Sequence, residues 1–300
     1  MAKTFGSDER RILGFFTPGT VFSEDGLEYS VCESGKPTCG KGEPKTDIYV
    51  AAIETRSNTS REYKISYKKA NADFLENKIT AERAGNLLGK DWSTIIFNAT
   101  KSIEESFKRK PLIYKTSFRN TQAGSFTLGW KFELTNKMNG ALSNKINVSA
   151  QQAIDIYSGN SLPDDKRNAY VNGRIVGNSG VAEYLLIADP GDVKSINDIV
   201  SNTVLIRNSF ATLPPVYFAC KALNYRSIRQ KHDGNRSLCV FVNWFIDNNK
   251  LRSSLVFDNP LTVCGDEVKN SLVNCLRQLG IKTTEDISAN NVYDPSIIHY

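Results

Sequence analysis

Histidine is nearly absent. Two in 300 residues, His232 and His299, cannot build a multi-histidine metal centre, and any Ser-His or Cys-His catalytic arrangement would rest on one of them alone. The stretch His232-Asp233-Gly234-Asn235 reads as a turn. Cysteine is sparse as well. Six in a chain of this length are too few for a disulfide scaffold, and no C-x-x-C pair occurs. Cys32 and Cys39 have six residues between them and no histidine near them, which argues against a zinc knuckle and for free thiols. No run approaches the ~18 apolar residues of a membrane span, and residues 1 to 5 do not resemble a signal peptide. The expectation is a soluble cytoplasmic protein without membrane contact. Neither a P-loop nor a dinucleotide fingerprint is present, so no nucleotide cofactor is expected. Internal repeats and low-complexity linkers are missing too.

What remains is an ordinary globular composition, 40% hydrophobic and 23% charged, with a net charge of +6. That charge is compatible with nucleic acid without demanding it. The length suits one elaborated α/β domain, or a catalytic core with a large addition. Residues 42 to 89 organise the chain. Gly42-Glu43-Pro44-Lys45-Thr46-Asp47 is a turn that ends in a carboxylate and feeds the apolar run Ile48-Tyr49-Val50. In Glu62-Tyr63-Lys64-Ile65-Ser66-Tyr67-Lys68, Tyr63, Ile65 and Tyr67 face one way and the polar residues the other. The two segments, joined by the polar loop 55 to 61, read as a hairpin that brings Asp47 near Lys68.

Asp73 followed by Glu76 has the spacing of a capping box, and Gly89 is a natural stop, so one helix is predicted over 74–88. Leu75, Ile79 and Leu87 form its apolar stripe, with Glu82 at the edge. A second helix is predicted over 92–108. Strands follow over 112–116 and 126–134, a short helix over 150–157, and a Gly/Asn/Pro-rich loop over 158–176. A strand over 181–188 and a helical turn over 193–199 come next. The last third reads as strands over 215–223, 237–246 and 250–258, with a basic loop over 224–236 and a helix over 267–279. Residues 7–16 suggest a short capped helix.

Asp47, followed on the next strand by Ser66-Tyr67-Lys68, resembles the PD-(D/E)XK nuclease core. Two positions depart from its pattern: Thr46 replaces the proline, and Ser66 stands where an acid is expected. The departure at Ser66 is similar to a variant found in type II restriction endonucleases that read CCGG-containing sites. There the motif is S-x-K and the missing acid comes from the following helix. Here Glu82 follows Lys68 after thirteen intervening residues. The resemblance implies an α/β (α+β) fold, with a restriction-endonuclease-like core of a central mixed sheet flanked by helices. The strands of the last third add a β-rich second part, and the chain divides at about 1–116 for the catalytic core and 117–300 for the remainder. Glu62-x-Lys64, on the same strand face, is the alternative acid and base pair. A further acid often comes from a helix before the hairpin, for which Glu24 and Glu28 are the candidates.

The activity implied is Mg2+-dependent hydrolysis of double-stranded DNA at a specific site by a homodimer. Asp47, Glu82 and the Tyr67 carbonyl would hold the metal, Lys68 would serve the attacking water, and Ser66 would leave room for Glu82. Lys45, Asn71, Asp73, Lys78 and Arg83 are candidate DNA contacts, as are Arg226, Arg229 and Lys231 of the basic loop. The alternatives are a repair or recombination nuclease on the same core and a non-catalytic DNA-binding protein.

Overall fold

The computed structural model describes residues 5–71, 73–189, 191–207 and 213–300. It is a mixed α and β chain in two compact units, Met1–Asp73 with Val148–Pro215, and Phe74–Asn147 with Val216–Tyr300. The expected boundary at 116 does not coincide with this division. The chain leaves the first unit at residue 73, returns at 148 and leaves again at 215, and no composition shift marks those crossings.

The first unit is built on a six-stranded mixed sheet. A helix, α1 (Phe5–Leu13), precedes strands β1 (Val21–Glu24), β2 (Leu27–Gly35), β3 (Ile48–Glu54) and β4 (Ser60–Lys68). These four strands run as an antiparallel meander. Strand Tyr184–Ile187 then adds parallel to β4, pairing Tyr184 with Ile65 and Ile187 with Lys68, and Thr203–Leu205 closes the edge. The alternation in β4 does what its sequence requires. Tyr63, Ile65 and Tyr67 enter one core with Ile12 of α1, Phe16 just beyond it, Ile48 and Val50 of β3, and Ile196 and Ile199 of helix Ile196–Asn202. Aromatic rings run across this face, Phe22 on Tyr29 at 5.6 Å and Tyr63 on Tyr184 at 5.6 Å. Ile65 is 1% exposed at the centre. Ile65→Ala should therefore cost about 2–5 kcal/mol, read as a lower denaturation midpoint at unchanged slope.

In the second unit the sheet is centred on strands Ser125–Thr135, Tyr217–Arg226, Val240–Asp247 and Lys250–Val256. Trp244 is buried and donates its indole N–H to the Thr127 carbonyl at 3.1 Å, which satisfies the one polar group on that ring. Helix Gly265–Gln278 buries Val268, Leu272 and Leu276, and Phe132 stacks on Phe218 at 5.4 Å.

Two predicted helices need correction. Residues 74–88 do not form one helix: Phe74–Glu76 is a strand paired with Ser125–Thr135, and only Ala81–Leu88 (α2) is helical. The cap is Thr80, whose hydroxyl accepts the Arg83 N–H at 3.2 Å, while Asp73 accepts the Lys69 N–H instead. Sheet pairing of Phe74 thus overrides the local capping signal. The helix expected over 92–108 is split into Trp92–Lys101 and Glu104–Lys108. Among the described residues no helix is long and apolar enough to cross a membrane.

Candidate functional site

The site is assembled where β3 begins and β4 ends. The Asp47 N–H donates to the Ile65 carbonyl at 2.9 Å, which fixes the aspartate in the ladder opposite the last turn of β4. Its Oδ2 accepts the Tyr67 N–H at 2.8 Å, the Lys68 ammonium at 3.3 Å and the Ser66 hydroxyl at 3.4 Å. The ammonium also donates to the Tyr67 carbonyl at 2.9 Å. Among the described residues the side-chain hydrogen bonds of Asp47 fall on Oδ2, so Oδ1 is left with its acceptor capacity. Both side chains are 14% exposed, so their attraction is little screened by solvent.

Residues 45 and 46 lead into the site under close constraint. The N–H groups of Lys45 and Thr46 donate to the Gly180 carbonyl at 2.9 and 3.3 Å. A methyl group at Gly180 would stand 1.8 Å from the Lys166 carbonyl oxygen, a contact no backbone can accommodate without moving. Gly180→Ala should accordingly destabilise the protein by about 1–3 kcal/mol and also impair any activity that depends on Asp47. Thermal denaturation and an activity assay at a temperature where the variant is folded check the two parts.

A carboxylate not anticipated from the motif completes the cluster. Glu9 on α1 binds the Lys36 ammonium through Oε2 and lies within electrostatic reach of Asp47 and Lys68. Burial raises the Glu9 pKa, and the charge on Asp47 raises it further, against the opposing pull of Lys36 and Lys68. For Lys68, burial acts downward, but the charges of Asp47, Asp73 and Glu9 outweigh it, and the ammonium form is favoured. Lys36 is raised in the same way: burial opposes the charge, and Glu9 and Asp47 more than compensate. Asp8, beside Glu9, pairs with Lys69 at 2.6 Å. The helix thus delivers two carboxylates to the end of β4. A sequence signal for Glu9 existed: it precedes the buried Ile12 and Phe16 by three and seven residues, on the inward face of a short predicted helix. Glu24 and Glu28 do not take this place. Glu24 accepts the Tyr63 hydroxyl at 2.6 Å and pairs with Arg61 at 2.8 Å, and Glu28 is exposed on β2.

The remaining anticipated residues are distributed as follows. Glu82 is exposed in the first turn of α2, in the second compact unit. Glu62 and Lys64 pair at 3.0 Å further along β4, where Lys64 also meets Glu183 at 3.4 Å and Glu62 accepts the Tyr49 hydroxyl at 2.6 Å. Asp47 thus adjoins the Ser66–Lys68 end of the strand rather than this pair. Lys45 is buried with its stem against Gly159, a poor position for a DNA contact. Asn71 and Lys78 are exposed, and Arg83 is held by Glu76 at 2.6 Å. Arg226 is held by Asp233 at 2.6 Å, which leaves Arg229, Lys231 and Arg236 as the exposed cations of the basic loop.

Among the described residues no three His, Cys, Asp or Glu side chains form a metal cage. The oxygens at the end of β4 are hard donors, Asp47 Oδ1 and the Tyr67 carbonyl, with the Glu9 carboxylate in electrostatic reach of Asp47. Magnesium is commonly held by one or two carboxylates with water completing the octahedron, so this set fits it better than a softer ion. The Lys68 ammonium bridges Asp47 and the Tyr67 carbonyl, so a positive charge already rests between two of those donors. Comparison with protein-family models, with curated proteins and with solved structures finds no match for this chain.

Proposed function

We propose that this protein is a Mg2+-dependent DNA endonuclease on a PD-(D/E)XK-like core, acting as a homodimer at specific sites in double-stranded DNA. The observation that carries the reading is the Asp47 carboxylate fixed against the Ser66–Lys68 end of the neighbouring strand. The helix, the antiparallel meander and the parallel strand beside β4 support it, because a mixed sheet with a flanking helix is what the resemblance implies. Glu9 takes the role first given to Glu82, as it is the carboxylate within electrostatic reach of Asp47 and Lys68.

Asp47 and Glu9 would hold the ion together with the Tyr67 carbonyl. Bound there, magnesium would acidify a coordinated water and screen the phosphate oxygens. The Tyr67 N–H fixes the rotamer of Asp47 by taking Oδ2, which leaves Oδ1 to point elsewhere. Lys68 stays an ammonium under the surrounding carboxylates, so it acts by donating hydrogen bonds and opposing the negative charge that builds on the phosphorus oxygens. A two-fold dimer would present one such site to each strand of a palindrome.

Incubation of the protein with phage DNA in Mg2+ and in EDTA tests the reading. Discrete fragments in Mg2+ alone support it. A smear assigns the same core to a nuclease without sequence preference, and intact DNA in both tubes removes the nuclease reading.

A further inference from the structure

The second compact unit carries a cleft of about 340 Å³ that the nuclease reading does not use. Its floor is apolar, formed by Leu112, Leu251 and Ile297, and its rim is basic, with Lys108, Lys110 and Arg252. The cations differ in how they are neutralised. Lys108 pairs with Glu105 at 2.9 Å and Glu104 at 3.3 Å, and Arg252 pairs with Asp247 at 2.5 Å. Lys110 has no carboxylate partner among the described residues. Burial makes its charge unfavourable, and the like charge of Arg119 adds to that. Asp294, the one acid lining the cleft, caps the turn that follows by accepting the Ser296 N–H at 2.9 Å.

A cation on the cleft wall that lacks a carboxylate partner among the described residues, and that feels the like charge of Arg119, suits an anion of high charge better than a single carboxylate. A phosphate monoester, carrying nearly two charges at neutral pH, offsets Lys110 and relieves that repulsion. The opposite wall offers a flat surface. The Arg252 guanidinium lies 4.1 Å from the centre of the Tyr293 ring, and that ring is 52% exposed. Ser253 and Ser254 line the same cleft, and their hydroxyls make no hydrogen bond among the described residues. Unpaired ammonium, half-exposed aromatic ring and unused hydroxyls together match a ligand with a phosphate at one end and a planar, hydrogen-bonding ring at the other.

We propose that this cleft binds a nucleoside phosphate, with the phosphate on Lys110 and the base against Tyr293. The source can be a free nucleotide or the phosphorylated end of a DNA strand, since both present the same chemistry. The site stands independently of the nuclease reading, and its test is run in EDTA, where no cleavage occurs.

The experiment is calorimetric titration of the full chain with AMP and GMP, then with adenosine and inorganic phosphate separately, and with an oligonucleotide carrying or lacking a 5′-phosphate. One mononucleotide is expected to bind per chain, at least about tenfold more tightly than either adenosine or phosphate. Lys110→Ala and Tyr293→Ala should each weaken it by about tenfold or more. Ser254→Ala, a lesser change at an exposed position, guards against a folding defect in the other two and should weaken binding by a smaller factor. Tighter binding of the 5′-phosphorylated oligonucleotide than of its hydroxyl counterpart assigns the site to DNA ends, and equal binding of the two assigns it to free nucleotides. Absence of binding by both mononucleotides overturns the proposal. So does an affinity that Lys110→Ala leaves unchanged, or inorganic phosphate binding as tightly as AMP.

Discussion

Lys68→Ala is expected to lower single-turnover cleavage of DNA in Mg2+ by at least about 10²-fold, while DNA binding changes little. The expectation follows from what the ammonium touches. It stands on Asp47 Oδ2 and on the Tyr67 carbonyl, in a setting that keeps it charged, so under the proposed function its removal takes away the donor that would serve the reacting phosphate. It also leaves Asp47 without the ammonium that pairs with it, so the folded state of the variant must be verified by its melting transition before the rate is read. Lys68→Arg is not a conservative control. The planar guanidinium cannot reproduce a point charge bonded to a carboxylate and to the preceding residue's own carbonyl, and a rate well below that of the native enzyme is expected. Unaltered cleavage by Lys68→Ala would remove the catalytic role assigned to β4.

The second large effect separates two carboxylates. Glu9→Gln is expected to reduce Mg2+-dependent cleavage by about 10²-fold or more, whereas Glu82→Gln should remain within about twofold of the native rate. Glutamine keeps the shape of glutamate and removes the charge that a hard cation requires. Glu9 feels Asp47 as a like charge in a partly buried setting, which is the kind of cluster a divalent cation relieves. Glu82 is exposed at the start of a helix, where loss of a carboxylate removes a modest favourable interaction with the helix dipole. The opposite result, with Glu82→Gln inactive and Glu9→Gln active, would restore the displaced-acid arrangement of the CCGG-reading enzymes and remove Glu9 from the site.

Much of this site was legible from local sequence, and the reason is specific. Asp47 and Ser66–Lys68 lie on two strands joined by a short loop, so their meeting depends only on hairpin register, which the alternation of Tyr63, Ile65 and Tyr67 fixes by burying one face. The α/β class followed from the same periodicities. The acid on α1 was not legible in that way. Its approach to Asp47 depends on how a nine-residue helix packs across the sheet, a tertiary fact with no contiguous motif. The helix expected over 74–88 failed for a related reason. Phe74 and Glu76 have partners on strand Ser125–Thr135, some sixty residues ahead, and that pairing outweighed a capping pattern read from four residues. The two units escaped notice because each is discontinuous, and a chain that crosses between them three times leaves no linker composition at the crossings.

The central claim is that Asp47 and Glu9 jointly hold a divalent cation at the end of β4. Titration with Mn2+ as a paramagnetic stand-in for magnesium, followed by electron paramagnetic resonance in the presence of DNA and with Lys68→Ala as the uncleaving background, tests it most directly. One tight Mn2+ per chain is expected, lost in Asp47→Asn and in Glu9→Gln and retained in Glu82→Gln. Retention of that ion after Asp47→Asn, or no bound ion in the starting protein, would contradict the account.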